Sequence, residues 1–200
     1  MASDEAITTQ LKDGMWPTSS SSAPWVMAQM IDALKLRPGL RVLEIGTGTG
    51  YNAACMAEAG AEVVSVEIDE RIAEQARRNL RISGHSGVEV ITGDGEDGAP
   101  RKAPFDRVIS TGAAQNIPYA WVGQTRDGGL IVLPYTGEAH EGAMVVLSVR
   151  DGVATGDVQG EAIFMPLRGQ RIGQRELQAL DSRKYFQIEV SRSGQRITTD

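Results

Sequence analysis

A chain of 200 residues with 41% hydrophobic content buries one sizeable core, so one domain is expected, with at most a small appendage. The net charge of −6 supplies no basic field for a phosphate backbone, which argues against a nucleic-acid partner, and no apolar run approaches the roughly 18 residues of a membrane span. The polar start after Met1 lacks the basic and apolar regions of a secretory signal, so a cytoplasmic location is expected, and a single cysteine, Cys55, excludes an internal disulfide and a Cys-based metal site.

Residues 1–22 are polar and end in Trp16-Pro17-Thr18-Ser19-Ser20-Ser21-Ser22, which predicts no lasting regular structure. A helix should follow Ala23-Pro24, because Val26, Met27, Met30, Ile31, Leu34 and Leu36 recur near helical spacing and proline suits a first turn. Arg37-Pro38-Gly39 stops it. Strand 41–45, helix 50–59, strand 62–66 and helix 69–81 come next, the last capped by Asp69. Strands 88–91 and 105–110, a short helix 118–124 and strand 130–134 complete an alternation that implies right-handed crossovers and a parallel sheet. The last third reads as strands 144–149, 153–155 and 162–164, an antiparallel edge, then helix 174–180 and strand 185–190. The fold class is therefore α/β, a doubly wound Rossmann-like sheet with an antiparallel C-terminal edge. Its expected divisions are an N-terminal substrate-side segment, 1–23, a main domain, 24–168, and a C-terminal appendage, 169–200.

The most informative run is Val42-Leu43-Glu44-Ile45-Gly46-Thr47-Gly48-Thr49-Gly50-Tyr51. An apolar strand feeding a glycine turn and a helix is where an α/β sheet holds a nucleotide-like ligand. The spacing is not the dinucleotide G-x-G-x-x-G. An acidic residue followed by G-x-G-x-G instead resembles the signature of S-adenosylmethionine (SAM) methyltransferases, in which the glycines admit the methionine part and the carboxylate, here Glu44, faces its amino group. Glu67, at the end of the second strand, is placed to accept both ribose hydroxyls. Asp94, between Gly93 and Gly95, is placed for the adenine amino group, although Asp-Gly also suits a plain turn. The expected cofactor set is Glu44, Gly46, Thr47, Gly48, Gly50, Tyr51, Glu67, Ile68, Gly93, Asp94, Gly95 and Thr111, with no metal. His85 and His140 lie in glycine-rich loops without a second ligand at metal spacing and read as solvated loop residues. Cys55 reads as a small buried apolar residue.

Strand 105–110 ends in Ser110-Thr111-Gly112-Ala113-Ala114, without the Asn/Asp-Pro-Pro-aromatic motif of base-amine methyltransferases or the clustered acids of metal-dependent catechol enzymes. At this point the chain resembles the protein L-isoaspartate O-methyltransferase family. The matching stretches are Ser22-Ala23-Pro24, the glycine run, Gly93-Asp94-Gly95, Ala103-Pro104-Phe105-Asp106, Ala113-Ala114 with Ile117-Pro118, Gly128-Gly129-Leu130 and Phe164-Met165-Pro166-Leu167. The resemblance implies methyl transfer from SAM to a peptide carboxylate, with S-adenosyl-L-homocysteine as product, and it places Ser22, with Ser20 and Ser21, at the substrate carboxylate. That agrees with hydroxyls ahead of a helix start, which can donate to an anion, while plain N-capping by Ser22 is the bland alternative.

Departures bear on the substrate. Family repair enzymes carry a histidine after the proline, where this chain has Trp25, have a longer segment before Ser-Ala-Pro, and usually stop after Phe-Met-Pro-Leu. The serine run, Trp121-Val122-Gly123-Gln124-Thr125-Arg126 and the altered termini resemble the branch associated with maturation of graspetide, lanthipeptide or lasso precursors. That branch implies methylation of an ordinary aspartate in a constrained peptide, the ester closing to aspartimide. The alternatives are isoaspartate repair of damaged proteins and a SAM-binding protein without catalysis.

Overall fold

The computed structural model describes residues 7–12, 16–137, 140–170 and 186–199. It begins with strands β1 (Ile7–Lys12) and β2 (Trp16–Ser21), an antiparallel pair forming its own two-stranded sheet. The polar sequence predicted no regular structure here. Isoleucine, threonines and tryptophan nonetheless suit strands, and Pro17 is tolerated because a two-stranded ribbon offers edge positions that need no donor.

Helix α1 (Pro24–Ala33) starts on its proline and buries Val26, Met27 and Met30. The alternation that follows is β3 (Arg41–Ile45), α2 (Tyr51–Glu58), β4 (Glu62–Glu67), α3 (Glu70–Ile82), β5 (Glu89–Thr92), β6 (Phe105–Ser110), α4 (Tyr119–Gly123) and β7 (Thr125–Gly137). Asp69 caps α3, accepting from the Arg71 and Ile72 amides at 3.0 and 3.3 Å. Strands β8 (His140–Arg150), β9 (Val153–Glu161), β10 (Phe186–Ser191) and β11 (Gly194–Thr199) extend the same sheet.

The nine strands lie in the order β11-β10-β9-β8-β7-β6-β3-β4-β5, parallel from β7 to β5 and antiparallel from β7 to β11. Strand order reverses between β3 and β6, and a crevice opens at the carboxyl ends of the strands at such a switch point. Alternate residues of each strand supply opposite faces. Val42, Val63, Ile109 and Val132 meet α1, α2 and α3, whereas Leu43, Ile45, Val108 and Ile131 share a second core with Trp121 and Val122 of α4. The doubly wound class is thus observed.

The antiparallel edge is longer than its sequence suggests. Gly128-Gly129 passes within β7 rather than turning before it, through a register shift against β6 between Phe105 and Arg107. β9 runs to Glu161, with a register shift against β8 between Met144 and Val145, and residues 162–164, expected as a strand, leave the sheet. Gly156 permits the close crossing, because a Cβ there would sit 1.9 Å from the Val146 carbonyl oxygen. Residues 186–199, set apart by sequence as part of an appendage, are hydrogen-bonded into the main sheet through β9, with Phe186, Ile188 and Val190 buried on one side. The expected helix 174–180 lies outside the described residues.

Candidate functional site

Three strand ends meet at the switch point, and their loops are tied to one another. After β3, Gly46 has φ +90°, and a Cβ on it would stand 2.7 Å from Thr111 Oγ1, so both the turn and the approach of the next strand require glycine. Thr111, just beyond β6, donates its hydroxyl to the Gly46 carbonyl at 2.6 Å. From β4, Glu67 accepts the Gly48 amide at 3.0 Å on one oxygen and the Asp69 amide at 3.1 Å on the other. Asn79 of α3 donates to the Thr49 carbonyl at 2.9 Å. The glycine loop is therefore held from both neighbouring strands.

Above these loops lies a cavity of about 600 Å³. Gly46, Gly48, Glu67, Ile68 and Thr111 of the expected cofactor set line it, together with Ser22. Its apolar walls include Ile72, Phe164 and Leu167. A buried carboxylate acceptor, glycine backbone and apolar walls in a space of this size suit a nucleoside joined to an amino acid, which fits SAM.

Other members of the expected set stand elsewhere. Glu44, expected to face the cofactor's amino group, does not line the cavity. It is fully buried beneath the glycine loop, where Asn52 Nδ2 donates to Oε1 at 2.7 Å and Ser65 Oγ to Oε2 at 2.5 Å. Burial pushes its pKa up to about 7 against these two bonds, and the Glu67 charge adds to the rise. Thr47 joins the network through Ser65, 2.6 Å away. Gly50 packs against Leu80 as the left-handed N-cap of α2, and Tyr51 is half exposed. Asp94 caps the turn Gly95–Asp97, accepting the Glu96 amide at 2.9 Å, and lies outside the cavity lining. Gly93 donates to the Glu67 carbonyl at 2.9 Å, so this turn borders the same edge.

On the opposite wall, α1 presents its start. Ala23 occupies the N-cap without a side-chain hydrogen bond, so capping by Ser22 is not observed. The Ser22 side chain makes no hydrogen bond among the described residues, and Ser22, Ala23, Trp25 and Val26 all line the cavity. A hydroxyl without a partner among the described residues, beside the first-turn amides of a helix, favours an anion. Ser20 and Ser21 pair through their backbones with Thr8 and Ile7 in the hairpin.

Sequence reasoning gave no role to the segment that closes the cavity. Ile163 to Arg168 forms a strap, joined to Ala113 by Ala113 N to Met165 O at 2.8 Å and Leu167 N to Ala113 O at 2.9 Å. Arg168 then pairs with Asp69 at 3.0 Å and holds that carboxyl below its ordinary range. The Phe164-Met165-Pro166-Leu167 run was the available signal, but the Asp69 contact spans 99 positions and leaves no local trace. His85, expected as solvated, is tied to Ser83 at 3.0 Å and Glu58 at 3.1 Å. Cys55 is half-buried, and nothing is described of the His140 side chain. No group of metal-binding residues occurs among the described residues.

The family model described as protein-L-isoaspartate(D-aspartate) O-methyltransferase (PCMT) matches residues 5–172. A protein-L-isoaspartate O-methyltransferase of Hyperthermus butylicus is 40% identical over 169 residues, covering 79% of this chain and 70% of its own length. One of Methanoculleus marisnigri is 43% identical, covering 74% and 67%. Among solved structures, a protein-L-isoaspartate O-methyltransferase superposes with a TM-score of 0.74 at 26% identity over 99% of this chain and 75% of the other. A beta-aspartate methyltransferase (PCMT) of Plasmodium falciparum, solved with S-adenosyl-L-homocysteine, shares the fold with a TM-score of 0.69 at 18% identity, covering 82% of this chain and 80% of the other.

Proposed function

The chain belongs to the protein-L-isoaspartate(D-aspartate) O-methyltransferase family, a SAM-dependent enzyme family, and on that premise we infer that it esterifies an aspartyl-type carboxylate in a peptide at the cavity between α1 and the glycine loop. The observation that carries this reading is the Ser22 hydroxyl at the start of α1, unbonded among the described residues, on the wall of the same cavity that Gly46, Gly48 and Glu67 line.

When bound, SAM supplies an electrophilic methyl group on a sulfonium centre. Glu67 offers acceptor capacity for the ribose hydroxyls, while its bonds to Gly48 N and Asp69 N fix the carboxylate beforehand. Gly93 to Gly95 border the adenine side, with Asp94 as the proposed partner of the amino group. Glu44 holds the glycine loop from below through Asn52 and Ser65. Ser22 and the first amides of α1 hold one carboxylate oxygen so that the other points at the methyl. A carboxylate is already ionised at neutral pH, so no general base is needed. Rate enhancement then comes from alignment and from exclusion of water by the strap.

Two results should follow. Glu67→Ala should weaken S-adenosyl-L-homocysteine binding by about 2 kcal/mol, since two charge-assisted bonds to the ribose are lost. Calorimetry on the folded variant checks this, and an unchanged affinity removes Glu67 from the cofactor site. Ser22→Ala should lower turnover by about tenfold to a hundredfold through loss of a hydrogen bond to a charged oxygen, with cofactor affinity retained. Loss of cofactor binding instead would place Ser22 on the wrong side of the cavity.

The finer reading is that the carboxylate belongs to an aspartate in a constrained precursor peptide, whose methyl ester is attacked by the next backbone nitrogen, releasing methanol and leaving aspartimide. Trp25, 52% exposed at the cavity wall, supports it by offering an apolar face to a preorganised ring, which loses less entropy on binding than a linear chain. The second reading, isoaspartate repair, is favoured by the names of the relatives. Competition between a linear isoaspartyl peptide and a macrocyclic aspartyl peptide decides between them, efficient turnover of the linear peptide alone establishing repair.

A further inference from the structure

The cofactor cavity does not end at Trp25. A second groove of about 590 Å³ runs from it between α1 and strands β8 and β9. The two share Trp25 and Glu161, so the groove adjoins the cavity at these residues. Met144, Val146 and Ala33 give the groove an apolar floor, and Gln29 and Gln159 give it amide rims. Its one lysine, Lys35, is paired with Asp32 at 3.3 Å. Glu161, in contrast, is exposed at the junction, and its side chain makes no ion pair or hydrogen bond with the described residues. An unpaired carboxylate beside an apolar track selects for a cation at a fixed distance from the reacting centre.

We propose that this groove binds the stretch of substrate peptide flanking the methylated residue, and that Glu161 is a specificity-determining residue that receives a basic side chain of that stretch. The proposal rests on the peptide carboxyl methyltransferase reading above. Amide rims suit peptide backbone, the apolar floor suits alternate side chains, and Glu161 lines both the groove and the cofactor cavity. Charge supports the choice of partner: the Glu161 carboxylate has no cationic partner among the described residues, in a protein with a net charge of −6.

The test uses the full chain and a peptide series identical except for one position near the aspartyl or isoaspartyl residue, occupied by Lys, Gln or Glu. Turnover is measured with SAM, and binding is measured separately by fluorescence anisotropy of labelled peptide with S-adenosyl-L-homocysteine present. At some position within reach, kcat/KM should favour Lys over Gln by about fivefold and Glu should be worst, the preference residing in KM and fading with salt, as expected for a solvent-accessible ion pair. Glu161→Gln should flatten the ratio and Glu161→Lys should invert it, each ratio being internal to one variant. Turnover with the same ratios in all three proteins overturns the groove assignment while leaving methyl transfer intact. Charge-dependent binding without turnover leaves the groove standing and overturns the enzymatic reading, and absence of both binding and turnover overturns both.

Discussion

Replacing Trp121 by alanine should destabilise the fold by about 3–5 kcal/mol, the range for emptying a large buried aromatic site. Trp121 is fully buried in the core that α4 shares with Leu43, Ile45 and Val108. Helix α4 has only five residues, too few to persist without packing. The indole also donates to the Gly95 carbonyl at 2.8 Å, so the same side chain anchors the turn proposed for adenine. Urea unfolding measures the loss, and a cost below about 1 kcal/mol would contradict the account of this core. Trp121→Phe separates the two roles. It keeps most of the apolar volume, gives up the hydrogen bond at about 1–2 kcal/mol together with the packing of the smaller ring's missing atoms, and should still weaken S-adenosyl-L-homocysteine binding because the Gly95 turn loses its anchor.

The second large effect is a pH dependence that Glu44 builds into folding. Its pKa is raised from 4.5 to about 7, first by burial, with Ser65 and Asn52 opposing and the Glu67 charge adding. Between these values the unfolded chain releases a proton that the folded chain retains. This group's contribution to stability is therefore best below the unfolded pKa, declines as pH rises through the interval, and levels off above the folded pKa. A shift of this size corresponds to about 3 kcal/mol. Asp69, lowered chiefly by its bond with Arg168, acts in the opposite direction at more acid pH, so the comparison with Glu44→Gln isolates the effect. The stability of Glu44→Gln relative to the wild type should rise by about 3 kcal/mol from pH 4.5 to pH 8. A constant difference across that range would mean that Glu44 is ionised throughout.

The parallel half of the fold was legible because each element carries its own signal. β3 and β4 have apolar centres, α3 has Asp69 at its cap, and α1 has Pro24 at its first position. The antiparallel half was less so, since Gly128-Gly129 and Gly156 read locally as turns and are held in strands only by partners distant in sequence. The site shows the same division. Glu44 and Glu67 look alike in sequence, each at the end of an apolar run. In the sheet, however, Glu44 pairs with Ser65, so Glu67 stands two residues, about 7 Å, closer to the open edge. That displacement puts one carboxylate in the cavity and the other beneath its floor. Arg168 and Glu161 had no local signal, because their meaning depends on the strap and the groove.

Single-turnover transfer from trideuteromethyl-labelled SAM tests the central claim most directly. The purified protein is mixed with a peptide bearing one aspartyl-type carboxylate, in linear isoaspartyl and macrocyclic aspartyl forms, and each product is mapped by fragmentation. One labelled methyl should appear on that carboxylate in at least one form, as a base-labile ester, with the rate reduced in Ser22→Ala. A protein that binds S-adenosyl-L-homocysteine yet transfers no label to either peptide would contradict it.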